Sequence, residues 1–355
     1  MTPTNPDPAQ VQSDVVAALR RAAFLLERGG ASSYRADAFR AAVRTLDRLD
    51  PAELRTRLVA GSLTDLPGVG ARTAEVATAA ATGGPSPYLT DLEARYPAMV
   101  ATGAGADLRR ALRGDLHAHT DQSDGSTPVQ EMVLAALDLG HEYVAITDHS
   151  PRLTVANGLS PARLRAQLDH IDELNRSIAP FRVLTGIEVD VLDDGGLDQE
   201  PELLDRLDVV VASLHSKLRM DAPAMTRRMR AAVANPLADV LGHCTGRQLT
   251  GARKRPQSEF DAKAVFADCA EYGVAVEVNC RPDRLDPPHA LLDVAVAAGC
   301  RFTIDTDAHA PGQLDWQPVG CDRAAAHGIG PDRVLDAWPL DRLLAHLDGR
   351  RVAAQ

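Results

Sequence analysis

The sequence predicts an α/β fold: a small or irregular (β/α) barrel of about seven parallel strands, preceded by a small all-α domain. From Gly114 onward, short apolar runs alternate with helical patterns, the order expected of a parallel α/β domain. Seven of those runs carry a polar ending: Asp-Leu-His117-Ala-His119, Val-Ala-Ile-Thr-Asp-His149, Thr-Gly-Ile-Glu188, Val-Ala-Ser-Leu-His215, Val-Leu-Gly-His243, Val-Glu-Val-Asn279 and Thr-Ile-Asp-Thr-Asp307-Ala-His309. Apolar runs of this length read as buried parallel strands, and in a parallel barrel all C-terminal strand ends open into one mouth. Residues 13 to 84 differ, because only helical spacing occurs there.

In the helical part, Ser13 is a candidate cap for a helix with Val16, Leu19, Ala23 and Leu26 on one face, the first dozen residues serving as a lead-in. Gly29-Gly30 stops it. Tyr34 to Leu49 is a second amphipathic stretch, Pro51 opens a third, and an Ala-rich helix ends near Ala81. Residues 85–112 read as a linker with a short helix or two, and the barrel domain spans 113–350. Its strands centre on 116, 145, 185, 211, 241, 276 and 304. Thr127-Pro128-Val129-Gln130 reads as a capping box, and Ser160-Pro161 opens a helix running to about Ile178. Further helical stretches fall near 222–234, 259–272, 288–298 and 340–348.

Composition narrows the function. The chain has 355 residues, 45% hydrophobic and 25% charged, with no apolar run near the ~20 residues a membrane span needs. The start, Met1-Thr-Pro-Thr-Asn-Pro-Asp-Pro, lacks the basic and apolar parts of a signal peptide. Five scattered cysteines with no Cys-x-x-Cys pair point to a reducing cytoplasm and to small buried thiols. A net charge of −11 argues against a generic nucleic-acid coat, although bound cations would recover positive charge at an acidic metal site.

His117-x-His119 sits on one strand, where alternation puts side chains i and i+2 on the same face. Asp307-x-His309 has the same spacing at the last strand, and Glu188, His215, His243, Asp124 and His149 add carboxylates and imidazoles at the other strand ends. Neutral imidazole with carboxylate suits zinc, manganese or iron without any thiolate. A lone histidine at a strand end is most often structural. Nine candidates at successive strand ends point instead to a polynuclear metal site.

This set resembles the polymerase and histidinol phosphatase (PHP) domain, a trinuclear-metal phosphoesterase built on a distorted seven-stranded (β/α) barrel. The resemblance runs from about residue 113 to the C-terminus. It implies three divalent ions, Mn²⁺ or Zn²⁺ with iron as a third option. His117, His119, Glu188 and Asp307 would hold the first; Glu188 would bridge to a second held by His215 and His243; Asp124, His149 and His309 would hold the third. The nucleophile would then be water acidified by the ions, with no protein nucleophile required. The stretches Asn235-Pro236 through Arg247 and Pro282-Asp283-Arg284-Leu285-Asp286 resemble the PHP domain of bacterial family X DNA polymerases, with Cys244 where proline is usual. Residues 14–84 resemble the helical lyase-type domain of those polymerases. The 85–112 segment is too short for a polymerase core between the two, so polymerisation is not expected. With no lysine before Lys217, Schiff-base lyase chemistry is not expected either.

Leu66-Pro67-Gly68-Val69-Gly70 reads as the hairpin of a helix-hairpin-helix. Gly68 and Gly70 would let backbone N–H groups approach a phosphate, the next helix N-terminus favours anions, and Arg72 is the nearest cation. Such contacts read DNA backbone and not bases. Arg35, Arg40 and Arg44 are further phosphate candidates, and a solvated helix face explains them equally well. Lys217, Arg247, Arg253 and Arg284 are candidate substrate-phosphate contacts, and Asp148 and Asp305 are candidate orienters of imidazoles, with a plain structural role explaining them equally well. The function expected is a metal-dependent hydrolase of DNA ends in repair, a 3′→5′ exonuclease with 3′-phosphatase or abasic-site processing as further options. It would bind DNA without regard to sequence, at ends or gaps. The alternative is a small-molecule phosphatase of the histidinol-phosphate type.

Overall fold

The computed structural model describes residues 7–250 and 254–353, and the chain divides into two compact units, 1–98 and 99–355. The first unit holds α1 (Pro8–Arg28), α2 (Ser33–Asp47), α3 (Pro51–Ala60), α4 (Ala71–Ala81) and α5 (Pro87–Arg95). The first helix begins earlier than Ser13, because Asp7 accepts the Ala9 N–H at 3.2 Å and Pro8 occupies the first helical position. Its buried stripe, from Val11 through Val15 and Leu19 to Leu26, meets Phe39, Val43 and Leu46 of α2, Leu54 of α3, Val76 of α4 and Leu92 of α5 in one cluster. Arg40 is buried here, where its guanidinium pairs with both Glu27 oxygens at 2.9 and 2.8 Å.

The second unit begins with α6 (Gly103–Ala111) and continues β1 (Gly114–Ala118), α7 (Val129–Asp138), β2 (Tyr143–Ile146), α8 (Pro161–Ile178), β3 (Arg182–Asp190), α9 (Pro201–Leu204), β4 (Val209–Ser213), α10 (Ala222–Val233), β5 (Val240–Leu241), α11 (Ala262–Tyr272), β6 (Ala275–Glu277), α12 (His289–Ala298), β7 (Phe302–Thr303), α13 (Gln317–Ala326) and α14 (Leu340–Ala353). The residues expected to form a linker are therefore shared out. Leu92 of α5 belongs to the helical core, and Leu108 of α6 to the barrel core. Thr102, just before α6, donates its N–H to Asp322 of α13 at 2.8 Å.

All seven strands are parallel and run β1 to β7 in sequence order. They are buried on both faces, as strands covered by helices must be. Gly114 is required where it stands, since a Cβ there would lie 2.2 Å from the Tyr143 ring. Leu116, Ala145, Leu184, Val211, Val240 and Ala275 pack with Leu343 and Leu347 of α14.

Between β1 and β7 no continuous ladder forms. Buried carboxylates bridge the gap. Asp305 accepts the Leu116 N–H at 2.7 Å, and Asp115 accepts the Thr306 N–H at 3.1 Å and its hydroxyl at 2.6 Å. One backbone bond, His119 N–H to the Ala308 carbonyl at 2.8 Å, completes the closure. Asp305 thus holds strands together, not an imidazole. Asp148 is also structural, tying the loop after β1 to α8 by accepting from Thr120, Ser123 and Gln167. The expected capping box before α7 does not form: Thr127 Oγ1 is buried without a hydrogen-bond partner among the described residues, and the Gln130 amide contacts His170 at 2.9 Å.

Candidate metal centre

His117 is the penultimate residue of β1 and His119 follows the strand; Glu188 lies in β3; His149, His215 and His243 come just after β2, β4 and β5. Asp307 and His309 lie beyond the short β7, and Asp307 has a left-handed backbone (φ 51°). The Asp307/His309 pair is thus aimed by a turn, not by strand alternation as its spacing suggested.

Glu188 is the hub. Its Oε2 lies 2.8 Å from His149 Nδ1, 3.5 Å from His117 Nε2 and 3.6 Å from His119 Nε2. Its Oε1 lies 2.8 Å from His243 Nε2 and 3.3 Å from His215 Nε2. Asp307 Oδ1 is 3.3 Å from His119 Nε2 and 3.5 Å from His309 Nδ1. Asp124 Oδ1 lies 3.4 Å from His149 Nε2 and 3.3 Å from His309 Nε2. Three groups therefore each bring their donor atoms within 4.8 Å of one another: His117, His119 and Glu188; His149, Glu188 and His215; and His119, Asp124, His149 and His309.

These contacts are close but poorly aligned as hydrogen bonds. Both Glu188 oxygens, His117 Nε2 and both nitrogens of His119 are buried without a hydrogen-bond partner among the described residues. Buried polar atoms are rarely left so, and lone pairs converging without donors are what cations satisfy. The imidazole and carboxylate donors fit divalent metal ions.

Electrostatics agree. Burial alone would raise the Glu188 carboxyl, yet the imidazoles of His215, His117 and His149 hold it well below the usual range. Burial, with His309 and His149 nearby, keeps His119 well below an ordinary histidine, so it is neutral. Burial and the Arg284 cation bring His243 down to about 4.

Two carboxylates orient candidate ligands, and the sequence reading missed both. Glu277 Oε1 lies 2.6 Å from His117 Nδ1, and Asp190 Oδ1 lies 2.5 Å from His215 Nδ1. Each leaves the Nε2 of its histidine facing Glu188. Glu277 stands in the quoted Val-Glu-Val-Asn run and Asp190 two residues after Glu188, so strand alternation from a candidate ligand was the available signal.

The basic candidates separate. Arg284 Nε lies 3.5 Å from Asp307 Oδ2. Arg247 is not free for substrate, because it donates to the Arg284 carbonyl at 2.8 Å and to the Leu285 carbonyl. Lys217 is exposed and paired with Asp193. Arg253 lies outside the described residues. Arg281, not anticipated, has NH1 3.1 Å from His309 Nδ1 and 3.6 Å from Asp307 Oδ1.

In the helical unit, Gly68 has φ 77° in the hairpin. The Gly70 N–H is already taken by Thr73 Oγ1 at 2.9 Å, so only part of the expected backbone cradle is open. Arg72 pairs with Glu75 at 2.6 Å and lies 4.8 Å from the centre of the Tyr88 ring. The Tyr88 hydroxyl accepts from Arg35 at 3.1 Å. Arg40, buried with Glu27, is no phosphate contact. Arg44 lines a shallow surface groove with Arg48, Pro67 and Gly68.

Comparison with known proteins gives a PHP domain match over residues 115–305 and a helix-hairpin-helix domain match over 11–84. A DNA polymerase/3′-5′ exonuclease PolX of Bacillus subtilis (strain 168) is 37% identical over 236 residues, 66% of this chain and 41% of that protein. This chain thus spans less than half the length of that relative. A probable phosphatase of Thermoanaerobacter sp. (strain X514) is 26% identical over 206 residues, 55% of this chain and 78% of that protein. A histidinol phosphate phosphatase structure from Lactococcus lactis, complexed with zinc, L-histidinol and phosphate, aligns with a TM-score of 0.41 at 15% identity, covering 68% of this chain and 93% of that one.

Proposed function

Because the chain belongs to the PHP domain family, we propose that it is a metal-dependent phosphoesterase acting on DNA ends, a 3′→5′ exonuclease in repair whose chemistry extends to 3′-phosphates or abasic sites. The observation that carries this reading is the convergence of five imidazoles on Glu188 in the same chain as a helix-hairpin-helix domain. The name of the 37%-identical relative, which includes 3′-5′ exonuclease, supports it.

In this reading three ions are held as follows: the first by His117, His119, Glu188 and Asp307, the second by Glu188, His215 and His243, the third by Asp124, His149 and His309. Bound divalent ions supply Lewis acidity toward phosphoryl oxygens and lower the pKa of water. The chain's own residues do the rest. Glu277 and Asp190 fix the tautomers of His117 and His215. Arg284 offers a guanidinium to substrate phosphate. The hairpin around Gly68, with Arg72 beside it, holds the DNA backbone without reading bases. Manganese and zinc are the favoured ions and iron the third option; elemental analysis of protein purified without added metal decides among them.

A cytoplasmic setting belongs to the same reading, in keeping with five buried cysteines that form no disulfide. Among the described residues no helix is long and apolar enough to cross a membrane.

The test is incubation with Mn²⁺ and a labelled oligonucleotide beside histidinol phosphate. Stepwise shortening from the 3′ end, abolished by Asp307→Ala, is expected. Turnover of histidinol phosphate with the oligonucleotide untouched would replace this reading with a small-molecule phosphatase.

A further inference from the structure

Residues 279–287, which follow β6, bring two guanidiniums to one carboxylate. Arg281 NH1 lies 3.6 Å from Asp307 Oδ1, and Arg284 Nε lies 3.5 Å from Asp307 Oδ2. The loop is braced from behind. Arg323 of α13, 7% exposed, donates to the carbonyls of Asn279 at 3.1 Å, Leu285 at 2.7 Å and Pro287. Arg247 takes the Arg284 and Leu285 carbonyls. Buried Asp286 accepts the Thr245 hydroxyl at 2.7 Å. Neither Arg247 nor Arg323 forms an ion pair among the described residues. Arg323 is buried and Arg247 half-buried, buried Asp286 acts on both charges, and their bonds to loop carbonyls hold this loop in one shape.

We propose that the loop is a substrate-phosphate arm: Arg281 and Arg284 bind the anionic oxygens of the phosphoester, and Arg323 positions them without touching substrate. The inference rests on the phosphoesterase reading above. Asp307 lies against both guanidiniums, and Asp283, 3.3 Å from Arg281 Nε, offsets part of one. Were Asp307 to hold a divalent ion, its negative charge would be taken up there. Two partly exposed guanidiniums then remain beside the ligands, and their complement is an anion with several oxygens. A phosphoester offers that, whereas a neutral ester does not. The loop therefore selects charge as well as position.

The test uses the Mn²⁺-loaded full chain. Three quantities are measured: the Kd of inorganic phosphate by calorimetry, kcat and KM on a 3′-labelled oligonucleotide, and manganese content. Arg281→Gln should weaken phosphate binding and raise KM by about tenfold, with kcat less affected and manganese retained. Arg323→Met should shift the same two quantities, although its side chain is remote from substrate. Arg323→Lys, still able to donate to carbonyls, should recover most of the loss. Wild-type phosphate affinity in Arg281→Gln would overturn the proposal, and so would equal behaviour of Arg323→Met and Arg323→Lys. If Arg323→Met does not fold, Arg281→Gln decides alone. If the wild-type protein digests no DNA while Arg281→Gln still loses phosphate, the nuclease reading falls and the arm stands. If digestion is normal and Arg281→Gln binds phosphate normally, only the arm falls.

Discussion

Glu277 holds His117 from behind, with Oε1 2.6 Å from Nδ1 of the imidazole. Its other oxygen accepts the backbone N–H of His243 at 2.5 Å, so one carboxylate orients donors from β1 and from the turn after β5. Glu277→Gln keeps the shape but presents an amide in place of the charge. It should lower affinity for the ion on His117 by about 10–100-fold, the usual effect of losing such a partner. Manganese titration followed by electron paramagnetic resonance checks this, with circular dichroism confirming the fold. An unchanged affinity would show that Glu277 serves packing alone.

The two hairpin glycines should behave differently. Gly68 is left-handed, and a Cβ there would sit 3.3 Å from Ala41 Cβ. Gly70 has φ −97°, with open space around the added carbon. Gly68→Ala should therefore cost about 1 kcal/mol of stability and weaken DNA binding. Gly70→Ala should be close to neutral in stability, and since its N–H already serves Thr73, it should alter DNA binding less. Urea denaturation and a fluorescence-anisotropy titration of an oligonucleotide at two salt concentrations separate the effects. Equal loss of DNA binding in both variants would refute the distinction.

Arg40 and Glu27 are each only 4% exposed, and the pair ties α2 to α1. Removing Glu27 takes away the two oxygens that hold the buried guanidinium while Asp37 stays near it, so Glu27→Ala should destabilise the helical unit by about 3 kcal/mol. Thermal denaturation of the full chain should then show an early transition assignable to helices. A shift under ~0.5 kcal/mol, the size of a surface substitution, would mean that the pair is readily hydrated.

Much of this architecture was legible because parallel strands are written as apolar runs and the imidazoles and carboxylates of the candidate site cluster at their ends. The run ending in His243 located β5 although only Val240 and Leu241 are assigned to it. What stayed hidden has physical reasons. The helix α13 has Pro318 and Gly320 among its first residues and no clear apolar stripe, so periodicity does not reveal it. Arg281 and Arg323 matter through a loop whose path depends on captured carbonyls, which no spacing rule reports. Arg40 resembled Arg35 and Arg44 on α2, yet its burial follows from tertiary packing against α1. The buried carboxylates at the barrel closure looked like neighbours of ligands, because nothing local shows that β1 and β7 lack a full ladder.

That closure makes stability depend on pH in an unusual direction. Asp336 accepts the Ile304 N–H at 2.6 Å, and burial together with the neighbouring Asp305 raises its carboxyl well above the usual range. Asp305 itself is raised to about 6 by burial and Glu277. A carboxyl whose pKa is higher folded than unfolded binds its proton more tightly in the native state. Its contribution is complete below the unfolded value near ~4 and is lost as pH rises toward and through the folded value. Glu188 and Asp307, held low, have the opposite slope, so the useful quantity is a difference between proteins. Relative to Asp336→Asn, the metal-free wild-type protein should lose stability between pH 4 and pH 7, at up to about 1.4 kcal/mol per pH unit for one proton. Urea denaturation of both proteins at pH 4.5, 5.5 and 6.5 measures it. Parallel curves across that range would mean that Asp336 and Asp305 do not share a proton and that the seam is held by charged carboxylates alone.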